Sequence, residues 1–418
     1  MTERAILADV AGGRRRLEMF ALFANRDFRF YWLANFFYFL VFGAQRFAFV
    51  LLVLELTDRA GLGGVVGFAL GVPAFFVTVP AGVWADRLDR RRMVFVSNLG
   101  GAAVLAAVAV LSWLGVLTPV VALVMALAAG FVSASVMPPL TSIVPMIVPP
   151  ERLMNAIVLR TMGQNLAQFV GAALGGVAIA LLDFGGAFAL QSGLFVIVAV
   201  CIVLVRLPAT AASSAARPSM GDAARDGARF VFGNAALRSL VIVSVFSGLF
   251  MLGPVFVLMP EIARTRLEVG AGPNSLLLAF TSIGMFAMSL WLAAHGELSR
   301  KGLWFIGNLL VSGPLMVGMG LSGWYPLTAL LMFGWGLAGG IFVNLNQTLI
   351  QTNTPNALMG RVMSIYGLSI AGIIPLGSLL AGAGAEAIGA DGYLVLSGVV
   401  IGACSVWAAL TQRALRAM

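Results

Sequence analysis

The chain has 418 residues, 60% hydrophobic and only 10% charged, with a formal net charge of +9 and a mean hydropathy of +0.99. A soluble domain carries about 25% charged residues, so this composition excludes an ordinary globular protein and requires a polytopic membrane protein. One histidine, His295, and two cysteines, Cys201 and Cys404, both inside apolar runs, leave no disulfide framework, no metal-ligand spacing and no Cys/His nucleophile pair.

In chain order, residues 1–29 read as a cytoplasmic arm. Arg14-Arg15-Arg16 has the look of a signal n-region, but the apolar stretch after it is short, broken by Glu18 and closed by Arg26, Asp27 and Arg29. No cleavable signal peptide is expected there. About 20 apolar residues cross a bilayer as a helix. That rule places twelve spans near 30–56, 64–85, 93–115, 119–143, 157–182, 186–207, 238–260, 273–295, 302–322, 324–347, 362–387 and 391–412. The fold class is therefore an all-α membrane protein of twelve transmembrane helices. The longest polar stretch, 208–237, splits it into a six-helix half at 30–207 and another at 238–412, with a tail at 413–418. Residues 219–233 within that linker are expected to form an amphipathic helix lying on the membrane surface.

Basic residues fix the expected orientation. With the N-terminus inside, 22 of the 26 basic residues fall on inner segments and three, Arg59, Arg264 and Arg266, on outer loops, with Arg46 inside a span. This bias puts both termini on the cytoplasmic side of the cell membrane. It also accounts for the net charge without a nucleic-acid partner.

The halves echo each other at an offset of about 209 residues. Asn25-Arg26-Asp27-Phe28-Arg29 matches Asn234-Ala235-Ala236-Leu237-Arg238, Leu88-Asp89-Arg90-Arg91 matches Leu298-Ser299-Arg300-Lys301, and Pro150-Glu151-Arg152-Leu153-Met154 matches Pro355-Asn356-Ala357-Leu358-Met359. All three sit at the cytoplasmic ends of equivalent helices, which argues for two pseudo-symmetric parallel halves.

Ionisable and amide residues inside spans face the bundle interior or a water-filled cavity. Arg46, deep in span 1, reads either as a cavity-lining cation or as a structural arginine bonded to span 4 or 5. Asn35 shares its helix face and Gln45 adjoins it. Gln164, Asn165 and Gln168 in span 5, and Asn344, Asn346 and Gln347 in span 10, form two amide clusters. Asn35, Gln45, Arg46, Gln164, Asn165, Gln168, Asn344 and Gln347 are the candidate cavity residues. Met251, Met259, Met285 and Met288 offer adaptable apolar surface or core packing. The small residues Ala167, Gly171, Ala172, Gly175 and Gly176 of span 5 read as a helix-packing face. The membrane acids Glu55, Asp183, Glu261 and Glu386 all lie near outer helix ends. No Gly-x-x-x-x-Gly-Lys-Ser/Thr loop is present, so no nucleotide powers this chain directly.

The gap between spans 2 and 3 holds Gly82-Val83-Trp84-Ala85-Asp86-Arg87-Leu88-Asp89-Arg90-Arg91-Arg92. Gly82, Asp86, Arg87, Arg90 and Arg91 match the loop motif Gly-x-x-x-Asp-Arg-x-x-Arg-Arg/Lys, and the chain resembles the major facilitator superfamily. Asn25-x-x-Phe28-Arg29, Leu54-Glu55-Leu56-Thr57, Val148-Pro149-Pro150-Glu151-Arg152-Leu153-x-Asn155-Ala156 and Gly360-Arg361-Val362-Met363-Ser364 narrow the resemblance to its twelve-span drug- and siderophore-exporter-like branch. The resemblance implies a gate in which Asp86 meets the start of span 11 and Arg90 or Arg91 pairs with Glu151. Gly171-Ala172-x-Leu174-Gly175-Gly176 also resembles the superfamily's antiporter motif, with Ala172 in place of its proline. It implies secondary export of small amphipathic molecules by alternating access, without a cofactor, driven by an ion gradient, expected to be of protons, and acting as a monomer. Many members carry an acid mid-span where this chain has Arg46, so unusual coupling is expected. His295 reads as an interfacial loop residue ahead of a proton carrier. Rival readings are a lipid or lysophospholipid transporter of the same fold, a membrane-embedded enzyme, and a non-transporting sensor.

Overall fold

Side-chain caps set where the helices begin. In the computed structural model, which describes residues 21–77, 88–207, 220–295, 298, 300–355, 358–412 and 416, Asn25 accepts hydrogen bonds from the Asp27 and Phe28 amides at 2.8 and 3.3 Å. These bonds satisfy two of the amides left free at a helix start. They begin α1 (Arg26–Thr57) ahead of the apolar run at residue 30. Asn234 does the same for α7 (Ala235–Thr265), accepting from Ala236 and Leu237 at 3.0 and 3.2 Å. The first sequence repeat is thus a repeated cap.

Eleven helices among the described residues are long and apolar enough to cross a membrane. One of them, Leu153–Val203, supplies two spans, which makes twelve. Its limbs, 153–182 (α5) and 184–203 (α6), meet at Asp183, whose φ of 59° and ψ of −175° leave the helical region. The packing order demonstrates the reversal. Trp32, Leu40 and Ala44 of α1 meet Gly163, Gly171 and Gly175 in ascending order. Phe49 then meets Phe188 and Tyr38 meets Phe195, at ring separations of 4.9 and 6.2 Å, in descending order. Asp183 Oδ1 accepts from the Gly186 amide at 2.8 Å and so starts α6 without any loop. Such a backbone costs about 1–3 kcal/mol, held in place by the packing on either side.

The remaining spans are α2 (Ala60–Val77), α3 (Arg90–Trp113), α4 (Pro119–Ile147), α8 (Ala271–His295), α9 (Lys301–Leu321), α10 (Tyr325–Thr352), α11 (Arg361–Ile388) and α12 (Ala390–Thr411). A further helix, Met220–Gly233, lies in the linker, and no strand occurs among the described residues. The face bearing Arg90–Arg92 and the linker helix is called the basic face here, and the face bearing Asp58, Asp183 and Asp391 the far face.

Two spans of the second half are broken. α7 contains a π-turn at Gly248–Leu252, and α11 another at Leu368–Gly372. Pro254 and Pro375 follow two and three residues later, and a proline removes the amide that would continue the ladder. The two breaks lie side by side, since a Cβ on Gly248 would sit 3.0 Å from Ile373 Cγ2. α1 has no such break. Its face is fixed by Phe28, Tyr31, Tyr38 and Phe49, each no more than 1% exposed.

Candidate functional site: the interface between the halves

Within the first half, α1 and α5 touch backbone to backbone. A Cβ on Gly171 would run into the Leu40 carbonyl, one on Gly43 into the Gln168 carbonyl, and one on Gly175 would lie 3.0 Å from Ala44 Cα. Ala167 is 0% exposed in the same seam. Gly176 turns about 100° further round α5 and faces the other half, where Ser275 of α8 occupies the space beside it. Ser275 Oγ donates to the Ala173 carbonyl at 3.0 Å. The small-residue motif therefore packs on both sides, Gly171 and Gly175 inside the half and Gly176 across the interface.

A second glycine row, which sequence reasoning passed over, closes the far side. On α2, Gly61, Gly64, Gly67 and Gly71 meet Glu386, Gly382, Ser378 and Pro375 of α11 in antiparallel order. A Cβ on Gly64 would lie 2.5 Å from the Ser378 carbonyl oxygen and 2.8 Å from Gly382 Cα. The readable signal was the spacing of 61, 64, 67 and 71, which keeps all four glycines on one face of α2. At the far end, Arg264 of α7 reaches Asp58 at the end of α1 (2.6 Å) and Glu261 on its own helix (3.3 Å). A cavity of about 820 Å³ lies there, lined by both halves and rimmed by Asp58, Glu261, Glu386 and Asp391.

Arg46 joins this seal at Ser378, between the Gly64 and Gly71 contacts. Its Nη2 donates to Ser378 Oγ at 3.0 Å, and its guanidinium stands 4.8 Å from the centre of the Phe256 ring on α7. Its Nε is buried without a partner. Among the described residues the arginine makes no hydrogen bond to α4 or α5, where the structural reading expected one. It clamps the first half to α7 and α11 of the second.

Among the candidate cavity residues, Asn35 and Gln45 are corrected. They are 0% and 3% exposed, so neither presents surface to a cavity in this state. Asn35 Nδ2 donates to the Arg160 carbonyl at 3.3 Å and joins α1 to α5. Asn346 is also buried, donating to Ser244 Oγ at 2.8 Å. Asn165, Asn344 and Gln347 are exposed, and Gln164 and Gln168 are half-buried. Asn165 lies about three turns before Gly176, on the same face of α5. That face touches α8 at the far end and is open at Asn165. Asn344 donates to Ser289 Oγ at 2.9 Å, about four turns from Ser275 on nearly the same face of α8. α5 and α8 thus meet at the far side, while toward the basic side Asn165 of α5 and Asn344 and Gln347 of α10, the latter helix bonded to α8 through Ser289, stay exposed, the outline of a cleft. Met251 and Met259 are 1% exposed and belong to the core.

Of the basic-face gate, Gly82, Asp86 and Arg87 lie outside the described residues. Glu151 is exposed and takes no part in the pairing expected of it. Arg90 donates instead to the Ser142 carbonyl of α4 at 3.1 Å, and Arg91 to the carbonyls of Val203 and Val205 at 3.4 and 3.3 Å. The end of α6 offers carbonyls without helical partners and the negative end of the helix dipole, which compete well with a solvated carboxylate. Of the acids, Glu55, Asp183 and Glu386 are exposed, and Glu261 is 7% exposed and paired with Arg264.

A family model described as transmembrane secretion effector matches residues 18–417. Macrolide efflux protein A of Streptococcus pyogenes is 22% identical over 359 residues, 84% of this chain and 88% of the relative. The multidrug efflux pump Tap of Mycolicibacterium fortuitum is 29% identical over 366 residues, covering 84% and 87%. The enterobactin exporter EntS of Shigella boydii is 24% identical over 380 residues, covering 88% of each. Among solved structures, a variant of the nucleoside transporter NupG superposes with a TM-score of 0.75 at 14% identity, covering 93% of this chain and 99% of its own.

Proposed function

The chain belongs to the transmembrane secretion effector family of the major facilitator superfamily, and on that premise we propose that it exports small amphipathic molecules by alternating access. The observation that carries the reading is the asymmetry of the interface. The halves are sealed along α2–α11 and by Arg46 on the far side, while Asn165, Asn344 and Gln347 stay exposed toward the basic side. One end closed and the other open is one state of a rocking cycle.

The basic face is the cytoplasmic face of the cell membrane in this reading, supported by the 22-to-3 distribution of basic residues. The state described then takes substrate from the cytoplasm, as export requires. Macrolides, other drugs and a siderophore are the cargo named for the relatives, and neutral amides beside apolar surface suit such molecules. None of these relatives is named for lipid, so the lysophospholipid reading has no support among them. A proton gradient is the proposed energy source, and the chain needs no cofactor and works as a monomer.

Proteoliposomes loaded with a macrolide or a catecholate siderophore test the reading, with and without an imposed pH gradient. Gradient-dependent movement out of the compartment facing the basic side is expected. Movement of the panel in the opposite direction, or none for any compound that stabilises the purified protein, would overturn it.

A further inference from the structure

The linker helix Met220–Gly233 has one side buried and one side that none of the described residues covers. Gly227 and Val231 face inward, Val231 at 0% exposure and Gly227 against Arg361 and Ile365 of α11. Asp226 pairs with Arg361 at 3.0 Å, which neutralises the one acid among residues 225–233. On the opposite side stand Arg225, Arg229 and Phe232, within about 60° of one another round the helix. Both arginines are exposed, and neither has a partner among the described residues. Phe232 is 53% exposed.

This face has a definite position relative to the bilayer. The helix ends at Gly233, and Asn234 caps α7 immediately, so Phe232 sits where α7 enters the hydrocarbon. Arg238, exposed in the first turn of α7, donates to the Phe232 carbonyl at 3.2 Å and adds a third cation. A hollow of about 530 Å³ opens there, lined by Arg229, Phe230, Gly233, Asn234 and by Asp226, whose charge Arg361 offsets. Three exposed arginines, against Asp222 as the one acid on the same helix face, surround an exposed aromatic ring at the interface plane and suit an anionic headgroup whose chains lie in the same leaflet. A soluble acidic protein would find the ring facing hydrocarbon depth and the arginines beside lipid.

We infer that Arg225, Arg229, Phe232 and Arg238 form a docking surface for the headgroups of anionic phospholipids in the leaflet on the basic side. Because Asp226 and Gly227 hold the same helix to the first turn of α11, a lipid seated there also steadies that turn. The inference rests on the membrane placement of the helix and not on which molecule is exported.

The test is hydrogen exchange of the linker-helix amides in the full-length protein. Three preparations are compared: phosphatidylcholine nanodiscs, the same with phosphatidylglycerol, and phosphatidylcholine nanodiscs with inorganic phosphate in the buffer. Each arginine near an anionic surface is worth roughly a five-fold change, so phosphatidylglycerol should slow exchange about tenfold or more. The Arg225→Gln/Arg229→Gln variant should lose most of that effect. Arg225→Lys/Arg229→Lys should keep it, and so should Asp226→Asn, which frees α11 without touching the arginines. Equal exchange with and without phosphatidylglycerol in the unmodified protein overturns the inference. So does a lipid effect that survives in the glutamine variant or vanishes in the lysine variant. Protection by inorganic phosphate alone would make this a site for soluble anions and would likewise refute a lipid-docking surface.

Discussion

The α1–α5 seam and the α2–α11 seam are made from the same material and do opposite work. Each brings glycines against backbone, Gly171 on Leu40 in the first and Gly64 on Ser378 in the second. The α1–α5 contact lies within one half and is flanked by buried aromatic rings, so it is part of the fold. The α2–α11 contact joins the halves, and alternating access requires it to open. Close glycine packing gains dispersion contacts without side-chain entropy loss, yet carries no directional bond that must be broken. A permanent seam and a reversible gate can therefore share one chemistry, and what separates them is the bonding around each. The gate is ringed by charge, Arg46 on one side and Arg264 with Asp58 on the other.

Substitutions can pull the two seams apart. The largest effect is expected at Gly171. A leucine there cannot be relieved by a side-chain rotation, because the obstacle is the Leu40 backbone. The cost should reach or pass the ~3 kcal/mol upper end of ordinary overpacking. Gly171→Leu should express poorly and melt far below the unmodified protein, whereas Gly193→Ala, with open space around it, should melt normally. A well-folded Gly171→Leu protein would mean that the seam is looser than described.

Arg46→Ala should act on the gate and spare the fold. It removes a charged hydrogen bond to Ser378, worth ~1.5–3 kcal/mol, and the contact with Phe256. Ser378 Oγ keeps a partner, since it donates to the Ile374 carbonyl at 3.1 Å. The variant also no longer buries a cation with an unbonded Nε, which offsets the loss in fold stability. Spin labels on the far ends of α1 and α7 should report a roughly tenfold or greater rise in far-side opening, with the melting temperature unchanged or higher. A fall in melting temperature without a change in label distances would return Arg46 to a purely structural role.

Much of this architecture was legible in the sequence, for a physical reason. Hydrocarbon demands about 20 apolar residues per helix, so twelve spans, with a break between 182 and 186, follow from hydropathy alone, while the loop-free turn at Asp183 does not. The interface was legible only in part. Arg46 stood out because a cation at that depth needs a partner. Its partner, Ser378, is an ordinary hydroxyl in an apolar run far along the chain. Asn35 looked like a cavity residue because helix periodicity gives a face but not what lies against it. The ends reached by Arg90 and Arg91 are backbone carbonyls, which no residue type marks. The α2 glycines were visible as a row, yet composition cannot distinguish a row facing its own half from one facing the other.

Gly64→Ala sharpens that last distinction. A methyl group at 2.5 Å from the Ser378 carbonyl oxygen must push α2 and α11 apart, at ~1–3 kcal/mol. Because the seam is a gate, the halves can yield by opening. Normal melting is expected, with slower transport and a far side open about tenfold more often. If Gly64→Ala instead lowers the melting temperature as Gly171→Leu does, the α2–α11 contact belongs to the permanent fold.

The smallest effect is expected from Asp58→Asn. The side chain is 80% exposed and its bond to Arg264 lies at the surface, so the pair is worth ~0.2–1 kcal/mol and is weakened by salt. Asn tolerates the left-handed conformation that Asp58 adopts at the end of α1, with φ at 52°, so the backbone should not change. Arg264 also keeps Glu261 as a partner. A shift in the far-side distance distribution of no more than about five-fold is expected, largest at low ionic strength and absent at high salt. An effect as large as that of Arg46→Ala, or one that salt leaves untouched, would show that the surface pair carries the gate and that the glycine seam merely follows it.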